Sequence, residues 1–74
     1  MNEELETMMK KIDREFQEYL NNKNDINILS ELELDLTKMK MMVGIERFDE
    51  LNAYRRMLTR TSLLLDEKLN GGNK

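Results

Sequence analysis

Two runs of apolar residues at alternating three- and four-residue spacings flank a single glycine, and this pattern restricts the chain more than any other feature. Leu29, Leu32, Leu36, Met39 and Val43 form the first run; Leu51, Tyr54, Leu58, Thr61 and Leu65 form the second. Such spacing draws one narrow stripe along a helix, the a/d seam of a heptad. Gly44 lies between the runs and suits the left-handed C′ position after a helix, because it has no Cβ to clash. Folding one run back on the other opposes Met39 to Leu51, Leu36 to Tyr54, Leu32 to Leu58 and Leu29 to Thr61, each pair equidistant from Ile45. A common centre is what an antiparallel helical hairpin requires. The same register brings Asp35 near Arg55 or Arg56 and Glu31 near Arg60. Exposed pairs of this kind, at roughly 0–1 kcal/mol each, fix register more than stability.

The segment before the hairpin carries its own stripe, Leu5, Met8, Ile12, Phe16 and Tyr19, and Asn2 stands where it can cap that helix ahead of Glu3 and Glu4. The polar pentad Asn21 to Asp25 then interrupts it, since Asn and Asp offer the backbone local hydrogen bonds that compete with helix. The expected fold is therefore all-α, with two long helices turning at Gly44 and a shorter N-terminal amphipathic helix before them. Its parts are a first helix over 1–20, a linker over 21–25, the hairpin over 26–70 and a frayed tail over 71–74, all in one small domain.

A chain of 74 residues without cysteine or proline has no disulfide or thiolate cage to reinforce a small core, so helix packing or a partner must do so. Histidine is absent too, which removes the usual general base and the commonest metal ligand. Neither enzymatic activity nor a cofactor or metal is expected. The net charge of −3 argues against a polyanionic ligand such as nucleic acid. Apolar runs stay far below the roughly 20 residues of a membrane span, and the acidic opening MNEELE is unlike a signal peptide, so a cytoplasmic protein is expected.

Leu34, Met41, Met42 and Leu63 fall off the hairpin seam. One seam cannot bury them, and three occupants of this second stripe are open: the first helix, a protein partner, or a second copy of the chain in a homodimer or larger coiled coil. Methionine, unbranched and adaptable, suits both an irregular core and a surface that moulds to a partner. Two motif readings fail on detail. Taking Asn22 to Glu33 as a calcium loop puts Ile26 at the fifth position and Asn27 where the turn glycine belongs. A helix-turn-helix centred on Gly44 would place Glu50 at a buried aliphatic position, although Arg55, Arg56 and Arg60 keep a small regulator of DNA or of a transcription factor as the rival class.

The stretch LSELELDLTKMKMMVGIERFDELNAYRRMLTRTSLLLDEKL resembles the small helical co-chaperones of type III secretion systems, the YscE/EscE type. The shared letters are Leu32, Glu33, Leu36, Thr37, Lys38, Lys40, Met42 and Gly44, in a leucine-rich helix that runs into a glycine-containing turn and a second long helix. The resemblance implies a bacterial cytoplasmic protein that pairs with a tetratricopeptide-like chaperone. Together the two would hold a needle subunit soluble before export.

Overall fold

A computed structural model describes residues 3–71, and over that range the chain is helical almost throughout. Helix α1 (Glu3–Asn21) begins with Glu3, Glu4 and Glu6 in its first turn, where acids favour the positive end of the helix dipole. The expected cap at Asn2, like Gly72 to Lys74 of the expected tail, lies outside the described residues. The helix closes when the Asn22 amide donates to the carbonyls of both Glu18 and Tyr19, and Asp25 N–H then donates to the Asn22 carbonyl in a tight turn. Asp25 caps α2 (Ile26–Val43): its Oδ1 accepts from the amides of Asn27 at 2.9 Å and Ile28 at 3.4 Å.

After Gly44 the chain does not run into one long helix. A short helix, α3 (Ile45–Glu50), intervenes before α4 (Asn52–Asn70), with Leu51 as the joint. Gly44 makes this possible. Its φ of 91° is positive as expected, but its ψ of 155° is extended instead of left-handed helical, a combination essentially confined to glycine. The Gly44 amide still donates to the Lys40 carbonyl, while its own carbonyl accepts from Phe48, so one residue ends α2 and precedes α3. A side chain at Gly44 would meet no neighbour within 4 Å, so the cost of substitution is conformational. Gly44→Val should lower stability by about 1–3 kcal/mol. Gly71, at an ordinary helical φ of −64°, should tolerate the same change in a urea melt with little shift.

Helix α2 is the centre of the packing. It buries Leu29, Leu32, Asp35, Leu36 and Met39, with α1 against one side and α4 against the other, and α3 touches α2 and α4. One apolar cluster joins Ile12, Leu32, Leu36, Met39 and Phe48; a second joins Tyr19, Leu29 and Leu65. Of the expected seam, Leu29, Leu32, Leu36, Met39 and Leu65 are buried, whereas Leu51, Tyr54 and Leu58 are half-buried. The register differs from the expected one. Ser62 Oγ donates to Glu33 Oε2 at 2.7 Å and Leu29 clusters with Leu65, pairs whose midpoints fall at Arg47 to Phe48 instead of Ile45. The cause is α3, which adds a turn and a half of helix to the bend and moves the point of return to its own middle.

Candidate protein-interaction surfaces

Because α1 and α4 flank α2, most of the α2 circumference is covered, but one face is not. Leu34 and Met41 stand seven residues apart, about two helical turns, and so share that face. They are 54% and 79% exposed, and Met42 beside them is exposed as well. Leu63 is also exposed but lies about 200° around α4 from the buried Leu65, on the side turned away from α2. The sequence posed a choice between a first helix that covers this stripe and one that leaves it for a partner. Helix α1 does dock, with Ile12 fully buried against Leu32 and Leu36, yet it does so on another flank of α2 and leaves Leu34, Met41 and Met42 uncovered.

The flank that α1 occupies carries a polar contact that the sequence did not reveal. Asp35, expected on an exposed edge beside Arg55 or Arg56, is 3% exposed and receives an ion pair from Lys11 Nζ at 3.2 Å. The hydrogen bond and charge of Asp35 raise the Lys11 pKa above its usual value. Glu15, one turn further along α1, is only 5% exposed, and its Oε1 has no hydrogen-bond partner. Burial first, then the hydrogen bond with Asp35 and the charge of Asp35, push the Glu15 carboxyl up to about 7, against the opposing pull of Lys11. A protonated Glu15 can donate to Asp35, which resolves the crowding of two carboxyls. Higher up, Tyr54 Oη donates to Asp13 Oδ1 at 3.2 Å and ties α4 to α1. Burial, followed by the Asp13 charge, raises the tyrosine pKa.

The Glu15 shift makes stability depend on pH with a definite sign. Unfolded, the carboxyl titrates near 4.5; folded, near 7. Its contribution is therefore complete below pH 4.5 and is lost as pH rises through 7, because the folded state must then hold a buried charge or release it. A loss of about 1–3 kcal/mol between pH 5 and pH 8 is expected from the size of the shift. Urea midpoints should fall across that range in the native chain, and Glu15→Gln should flatten the slope. Equal slopes in the two proteins would remove Glu15 as its source.

The third feature is a groove of about 730 Å³ between α1 and α4. The Cα traces of these helices nowhere come within 8 Å of each other among the described residues, and side chains such as Tyr54 and Asp13 bridge the space between them. Phe16, Tyr19 and Leu20 form one wall; Ala53, Met57 and Leu64 form the other. Lys23, Arg56 and Arg60 supply its charged groups. The signal available in sequence was the widening of the α4 seam by Met57 and Leu64, which a hairpin alone does not use. Among the described residues no three His, Cys, Asp or Glu side chains converge as a metal set, and no helix is long and apolar enough to cross a membrane.

No family model matches the chain, and neither a curated protein nor a solved structure matches it.

Proposed function

We propose that the chain is a non-catalytic co-chaperone of the type III secretion kind, an antiparallel helical hairpin with a docked N-terminal helix that binds a tetratricopeptide-like chaperone and helps keep a needle subunit soluble. The observation that supports this reading is the uncovered face of Leu34, Met41 and Met42 on a helix whose other sides are already packed. A leucine and two methionines left exposed in so small a chain are costly to keep in water and useful against a partner's helices. Methionine side chains adapt to a curved, helix-lined surface without a rigid pocket. A domain of this size has a marginal core of its own, and binding to the folded form alone stabilises it by mass action. The role also has a physical rationale: needle subunits assemble through amphipathic helices, so a sheath that covers those faces prevents premature filaments.

The test is to mix the purified chain with a candidate tetratricopeptide-like chaperone and measure mass by light scattering. A single heterodimeric species supports the proposal. Two unchanged monomers would contradict it, and tight binding to duplex DNA by the chain alone would favour the regulator class.

A further inference from the structure

We propose that the groove between α1 and α4 is a docking site for an amphipathic helix of a partner protein whose polar flanks are acidic. The walls are two helices that both lean on α2 and meet each other through side chains such as Tyr54 and Asp13 without close backbone approach, so the trough between them offers ridges of side chains to a third helix. Its apolar lining includes Phe16, Leu20, Met57 and Leu64, side chains able to receive the apolar face of an amphipathic helix.

The charge pattern selects the occupant. The chain has 15 acidic and 12 basic residues, yet every charged residue that lines the groove is a cation. Arg56 and Arg60 stand one turn apart on the α4 wall, and Lys23 stands at the end of the α1 wall. Among the described residues none of the three has a carboxylate within ion-pair distance. Carboxylates of an incoming helix, spaced one turn apart, would meet Arg56 and Arg60 in the forked geometry that guanidinium groups favour. A second copy of the chain fits less well, because a two-fold contact of groove on groove would set these cations against one another. Nor do three cations around an apolar floor make the broad basic face that nucleic acid requires. This inference does not rest on the co-chaperone reading, since Leu34, Met41, Met42 and Leu63 line no part of the groove.

The experiment uses the full chain and two labelled synthetic helices of about 18 residues, with leucines at heptad positions a and d and either glutamates or lysines at e and g. Fluorescence anisotropy should show binding of the glutamate peptide and at least tenfold weaker binding of the lysine peptide. Arg56→Glu with Arg60→Glu should weaken the glutamate peptide tenfold or more. Lys23→Glu, which lies outside the helices and so leaves the fold alone, should weaken it as well. Leu34→Ser with Met41→Ser should bind it as the native chain does. Equal affinity for the two peptides, or unchanged affinity in both charge-reversed proteins, would overturn the proposal. A dimer by light scattering that Arg56→Glu with Arg60→Glu converts to monomer would also overturn it, assigning the groove to a second copy.

Discussion

Phe48→Ala should lower the stability of this chain by about 3–5 kcal/mol, the range for removing a fully buried aromatic side chain. Phe48 is one of the largest fully buried side chains among the described residues, and its cluster includes Ile12 of α1 as well as Leu32, Leu36 and Met39 of α2. It therefore does more than fill space. As the sole buried residue of α3, it holds the point of return against the body of the fold. A domain of this length has a total stability on the order of 4–11 kcal/mol, so the variant should lose a large share of it and unfold at a much lower urea concentration. Phe48→Leu, which keeps most of the apolar volume, should lose less than half as much. Urea denaturation of the three proteins checks the prediction. A shift below about 1 kcal/mol in Phe48→Ala would mean that α3 hangs free of the core.

The second large effect is expected in binding instead of folding. Leu34→Ser with Met41→Ser removes two apolar side chains that are mostly exposed in the isolated chain, so circular dichroism and the urea midpoint should scarcely change. If a chaperone buries both, each is worth roughly 1.5–3 kcal/mol, and the double change should weaken the complex by about a hundredfold or more. The contrast with Phe48→Ala is the informative part: one variant costs the fold much of its stability, and the other leaves the fold intact without its partner. A double variant that binds as tightly as the native chain would remove this face from the interface.

The three long helices were legible in the sequence because each is long enough for its 3.6-residue period to show, and Gly44 and the Asn21 to Asp25 pentad mark two of the breaks. Helix α3 was not, since six residues span too few turns for a period to emerge, and its Phe48 reads as an isolated aromatic in the acidic string around it. From that omission follows the register. Without α3 the fold-back centres on Ile45; with it the Glu33 to Ser62 bond moves the centre to Arg47 and Phe48. Asp35 was misplaced for a different reason. Periodicity gives the faces of α2 but not which neighbour covers each, and only the docked position of α1 reveals that Lys11 and Glu15 reach Asp35. That Leu34, Met41, Met42 and Leu63 lie off the seam was legible in their spacing, but that α1 leaves them uncovered was not, because periodicity does not say which flank of α2 the first helix takes. That they do not form one continuous stripe was not legible either, because it depends on how α4 is turned relative to α2.

The methionines provide the most direct measurement, since they sample the core, the uncovered face and the groove with a single kind of methyl group. Met39 is buried, Met41 and Met42 lie on the free face of α2, and Met57 lines the groove. With methionine methyls labelled by carbon-13, addition of a tetratricopeptide-like chaperone should shift the Met41 and Met42 resonances and leave those of Met39 and Met57 in place. Movement of Met57 with Met41 and Met42 unchanged, or no movement at any of the four, would contradict the account.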